Sequence, residues 1–129
     1  MSSAEAAGQP ALRAAVRLFN QGLYLASHEL FEELWEGTEG PDADFYKGLI
    51  QAAVAMHHLQ EGNLEGAAQL FRGHRTYLAP YLPTHHGLDL EGFLGAMQTT
   101  LRPLLRRRPG EVASFDEIHR PRLEFREEA

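Results

Sequence analysis

The sequence predicts an all-α protein, an irregular antiparallel bundle of about five helices. Three observations predict it. Apolar residues recur at helical spacing in successive segments. Each segment is closed by glycine, proline or an Asn/Asp capping position. Alternating strand patterns are nearly absent. A chain of 129 residues suits a single domain with its own hydrophobic core.

The elements follow in order. From Ala11 to Asn20, the residues Leu12, Ala15, Val16 and Phe19 share one helical face, and Asn20-Gln21-Gly22 breaks it. A second helix, about Leu23 to Glu36, gathers Leu23, Tyr24, Phe31, Leu34 and Trp35, with Glu29, Glu33 and Glu36 opposite. Gly37, Gly40 and Pro41 end it. A third helix begins near Pro41-Asp42, with acid in its first turn, and runs to about Glu61 before Gly62. It is apolar nearly all round, which places it at the centre of the domain, buried on all sides. Gly48 within it implies close approach of a neighbouring helix. Asn63 caps a fourth helix, about Leu64 to Leu78, and Asp89 a fifth, about Leu90 to Arg107, with Pro103 as a blemish. The ordered core is expected over about residues 10–108. The tail beyond Pro109-Gly110 reads as largely irregular, with one short turn near Ser114 to Ile118.

Composition removes several function classes. With no cysteine there is no disulfide scaffold, thiolate metal site or cysteine nucleophile, and a cytoplasmic setting fits. A net charge of −6 argues against nucleic-acid binding, which depends on Lys and Arg against phosphate. Arg102 and Arg106-Arg107-Arg108 read as the cationic last turn of a helix. Met1 to Pro10 lacks the basic and apolar regions of a signal peptide, and no apolar run approaches the roughly 20 residues of a membrane span. No phosphate loop, dinucleotide fingerprint or nucleophile elbow is present. Oligomeric state is left open.

The chemistry-bearing residues concentrate on the second and third helices. At about 100° per residue, Tyr24, His28, Glu32 and Trp35 share one sector, and His28 and Glu32 are i, i+4 partners. Lys47, Gln51 and His58 form one stripe of the third helix, with His57 on another side. Packed together, the two helices would line an interior site. Three readings fit. In one, His28, Glu32 and His58 (or His57) ligate a divalent metal (zinc, iron or manganese), and a metal-activated water performs hydrolysis with Glu29 as base. In the second, the same groups form a buried hydrogen-bond network in a non-enzymatic binding or scaffold module. In the third, Tyr24, Trp35, Gln51 and His57 wall a pocket for a small-molecule ligand without metal. Trp35 otherwise reads as core, His74 as part of a solvated face, and His85-His86 as a surface loop between Pro83 and Gly87.

The ordered series Phe19-Asn20-x-Gly22-x-Tyr24-x-x-x-His28-Glu29-x-x-Glu32-x-x-Trp35, Phe45-Tyr46-x-Gly48-Leu49-Ile50-Gln51 and His57-His58-Leu59-x-x-Gly62-Asn63-x-x-Gly66-Ala67 resembles a family of small bacterial and archaeal proteins of unknown function. Some of its members are called predicted metal-dependent hydrolases. The resemblance spans about Leu18 to Leu70. It implies an irregular all-α fold, no established substrate, and motif residues His28, Glu29, Glu32, Trp35, Gln51 and His58.

Overall fold

The computed structural model describes residues 3–106 and 120–126, with side chains from residue 10 onward. Five α-helices occur among the described residues: α1 Ser3–Asn20, α2 Tyr24–Glu36, α3 Asp42–Gln60, α4 Leu64–Leu78 and α5 Leu90–Leu105. The all-α class is as expected, and so are α2 to α5 to within a residue or two. The helix α1 is longer than expected and runs through Pro10 to Ser3. Pro10 removes only one backbone donor, and the alanines before it are strong helix formers.

Successive helices pack as neighbours, and α3 contacts both α2 and α4 extensively. The core draws on Phe19 from α1, Phe31 from α2, Phe45, Leu49 and Met56 from α3, Leu78 from α4 and Phe93 and Met97 from α5. Gly48 explains how α4 approaches so closely: a methyl there would lie 2.6 Å from Leu78 Cγ. Both expected caps form. The Asn63 and Asp89 carboxamide and carboxylate oxygens each accept from an amide three residues on, Gly66 and Gly92, at 3.0 Å. The Asn20-Gln21-Gly22 break is tight, with Gly22 at φ +80°.

Three expectations need correction. First, α3 is not enclosed on every side. Lys47, Ile50, Gln51, Val54, His57 and His58 are only half-buried, because α2 and α4 flank the helix and leave this strip between them. Second, Trp35 is not core: it remains 36% exposed, with the Lys47 ammonium 5.9 Å from its ring centroid. Third, a small hairpin joins α4 to α5. After a 3-10 turn at Ala79–Tyr81, β1 (Thr84–His85) pairs antiparallel with β2 (Leu88–Asp89), with Thr84 opposite Asp89 and His85 opposite Leu88. Its two-residue turn has His86 at φ +47° and Gly87 at φ +79°, the left-handed pair that a tight hairpin requires.

The expected turn at Ser114 to Ile118 lies outside the described residues. Residues 120–126 are extended and tied down. Phe125 bridges Leu88, Asp89 N–H donates to the Glu124 carbonyl at 2.9 Å, and Arg126 N–H donates to the Gly87 carbonyl at 2.7 Å. Leu123 is buried, and the Asn20 carboxamide both donates to its carbonyl and accepts from its N–H, each at 2.8 Å. No helix among the described residues is long and apolar enough to cross a membrane.

Candidate metal centre

Asp42 opens α3, where the helix N-terminus favours a negative charge. The hairpin brings two imidazoles to it. His85 Nε2–H donates to Oδ1 at 2.8 Å and His86 Nε2–H donates to Oδ2 at 2.7 Å, so each carboxylate oxygen meets one ring nitrogen. Consecutive strand residues ordinarily point to opposite faces; the left-handed backbone at His86 turns its ring back beside that of His85. The two rings lie 4.4 Å apart, centroid to centroid.

Aromatic side chains hold this arrangement. The Phe45 ring packs edge-on against His85 at 4.7 Å and tilted against His86 at 5.4 Å. Tyr46 stacks on His86, nearly parallel at 11°, and Tyr81 packs against His85 at 4.8 Å. The Tyr81 hydroxyl donates to the Pro41 carbonyl, which ties the hairpin side of the site to the start of α3. Partial burial pushes the Asp42 carboxyl up, but the hydrogen bonds from His85 and His86 outweigh it and leave the group below its usual value. Burial raises the Tyr46 phenol, and the Asp42 charge adds to the effect.

Among the described residues, Asp42, His85 and His86 are the one trio of His, Asp or Glu whose ligand atoms all lie within 4.8 Å of one another. Two imidazoles and a carboxylate form a donor set suited to zinc, iron or manganese. Metal–ligand bonds near 2.1 Å separate tetrahedral donors by about 3.4 Å. One ligand atom from each of the three lies within 4.8 Å of the others, so small side-chain shifts would let one ion take the place of the two bridging protons. The residues fit the group.

The sequence reading missed this trio. His85-His86 is not merely a surface loop; His86 has only 12% of its side chain exposed. The signal that could have found it is Gly87, which after His86 marks a two-residue hairpin turn.

The residues singled out on α2 and α3 are arranged differently. His28 Nε2 lies 3.2 Å from Glu32 Oε2, the contact its spacing implies. His28 Nδ1 is buried without a hydrogen-bond partner. His58 is not gathered with this pair; its Nδ1 accepts from the Asn63 carboxamide at 3.3 Å. Its neighbour His57 is half-buried, ring centroids 6.2 Å apart. Glu29 is exposed. Gln51 lies against Gly73 of α4 so closely that a Cβ there would overlap its Oε1, and that oxygen is buried without a partner. Lys47 sits between Trp35 and Tyr77, 5.3 Å from the second ring. Tyr24 is buried, its hydroxyl unpartnered and its phenol raised by that burial against the opposing charge of Arg120. His74 is a further correction: it is 0% exposed. Its Nδ1–H donates to the Phe71 carbonyl, and Phe93 packs edge-on against its ring. Burial pushes its imidazole down to about 4.

Two comparisons place the sequence. An "Uncharacterized protein" of Aquifex aeolicus (strain VF5) is 34% identical over 80 residues, which make up 61% of this chain and 24% of the relative. The chain thus spans about a quarter of that relative's length. Residues 12–70, which hold α2, α3 and their motif residues, match the family described as "Domain of unknown function (DUF309)", so the family resemblance read from the motifs is borne out there.

Proposed function

We propose that this protein binds one divalent metal ion (zinc, iron or manganese) through Asp42, His85 and His86 and uses it for hydrolysis. The observation that carries the reading is the Asp42 carboxylate, whose two oxygens each face an imidazole nitrogen. Three protein donors leave coordination positions open, and an ion held so supplies Lewis acidity and an activated water. Phe45, Tyr46 and Tyr81 pack against the two rings and fix their orientations. This reading moves the metal from His28, Glu32 and His58 to the α3 N-terminus. It keeps the cytoplasmic setting that a cysteine-free chain suits.

The test is metal content of tag-free protein after dialysis against zinc, manganese or ferrous iron. One equivalent should bind, should be lost in the His85→Ala/His86→Ala double variant, and should be retained in His28→Ala. An empty wild-type protein, or an ion lost only with His28, overturns the assignment.

A second reading rests on a different observation. The unpartnered His28 Nδ1 and Gln51 Oε1 are polar atoms in want of partners. With Glu32, Trp35, His57 and His58, they favour a small-molecule site along the strip between α2 and α4. A ligand there would shift the Trp35 fluorescence and leave metal content unchanged.

A further inference from the structure

Away from Asp42, α1 and the extended segment 120–126 enclose an open cleft of about 400 Å³. Three guanidiniums line it: Arg13 and Arg17, one turn apart on α1, and Arg122. Val16, Leu123 and Phe125 supply its apolar wall. Among the described residues, no carboxylate belongs to that lining. Among the described residues Arg17 has no ion-pair partner, and Arg122 has only a 3.7 Å contact with Glu124. This is unusual in a chain of net charge −6. Like charges one helical turn apart weaken a helix, and among the described residues no carboxylate pairs with either arginine of α1.

The cleft is also built rather than incidental. The Arg13 guanidinium lies 4.2 Å from the Phe125 ring centroid, so stacking orients its fork before any ligand arrives. The two-way hydrogen bond between Asn20 and Leu123 fixes the segment that carries Arg122 and Phe125. Its volume lies in the range of small-molecule sites.

We propose that this cleft binds a small phosphate-bearing anion. Guanidinium forks match phosphate oxygens in shape and charge, and three of them suit a group with several acceptor oxygens better than a lone carboxylate. The proposal does not depend on the metal reading, because the cleft shares no residue with Asp42, His85 or His86.

Calorimetric titration of the metal-free full chain with inorganic pyrophosphate at low ionic strength tests it. One saturable site is expected. Arg17→Gln and Arg122→Gln should each weaken it by about tenfold or more, the usual worth of a charge-assisted hydrogen bond. Arg102→Gln, at an exposed arginine of α5 outside the cleft, should leave it unchanged. All three positions are exposed, so the fold should survive, and thermal unfolding of each variant checks that. Absence of saturation overturns the proposal. So does full binding in the Arg17→Gln/Arg122→Gln double variant, or equal weakening by Arg102→Gln. Tighter binding of an oligonucleotide, growing with its length, overturns it in favour of a nucleic-acid track.

Discussion

Acidification should destabilise this fold through His74. Its ordinary value of 6.5 falls to about 4 in the folded chain, with burial the main cause and the Arg75 charge a lesser one. The hydrogen bond to the Phe71 carbonyl opposes the shift without cancelling it. Between about pH 6.5 and pH 4 the unfolded chain therefore takes up a proton that the folded chain refuses. Stability from this group is complete above the unfolded value and declines as pH falls through that window. Each pH unit is worth about 1.4 kcal/mol, so the loss reaches about 2.5 kcal/mol near pH 4.5. Urea unfolding of the wild type and of His74→Leu, each at pH 7 and pH 4.5, isolates the effect, since the other titrating groups are common to both. The wild type should lose roughly 2–3 kcal/mol more than the variant on acidification. Equal losses, or a His74 imidazole that titrates near 6.5 by NMR, would refute the reasoning.

Three further outcomes follow from particular contacts. Asp42→Ala should abolish metal binding, because it removes the carboxylate that both imidazoles face; a dialysis isotherm unchanged from wild type would count against those ligands. Asn20→Ala removes both 2.8 Å hydrogen bonds to Leu123 and should cost about 1–3 kcal/mol in urea unfolding, with faster amide exchange across residues 120–126. Gly48→Ala would gain about 1 kcal/mol of helix propensity. The new methyl would meet the fully buried Leu78 at its branch point, so the net effect should be a loss of roughly 1–2 kcal/mol, read as a lower melting temperature.

The helices were legible because their signals are local. Leu12, Ala15, Val16 and Phe19 recur at the helical period, and all four are buried on α1. Asn63 and Asp89 cap where a short polar side chain precedes an apolar run. The close approach at Gly48 was legible for the same reason: a helix interior tolerates glycine poorly unless something needs the space. Burial of single side chains was less legible. His74 stands between Arg72 and Arg75 in a segment that looks solvated, yet its own turn faces Phe93 of α5. Trp35 has the periodicity of core but lies near the end of α2, beyond the cover of the neighbouring helices. Both outcomes depend on where another helix ends, which local spacing does not encode.

The same distinction explains the metal trio. His28 and Glu32 were paired correctly because four residues on one helix fix their separation, and they meet at 3.2 Å. Asp42 and His86 are 44 positions apart, and their contact depends on three separate features. The start of α3 must place the carboxylate at a helix end. The hairpin must bend back over Phe45 and Tyr46. Gly87 must let the turn close with His86 in a left-handed conformation, since in a regular strand one imidazole would face away. The first leaves a mark in Pro41-Asp42 and the last in Gly87, but the bend of the hairpin over Phe45 and Tyr46 leaves none. A histidine pair before a glycine, between short apolar runs, is therefore a better pointer to convergent imidazoles than a histidine pair within a helix. His57 and His58 illustrate the contrast: adjacent on α3, their side chains diverge by the helical step, and their rings stand 6.2 Å apart where those of His85 and His86 stand 4.4 Å apart.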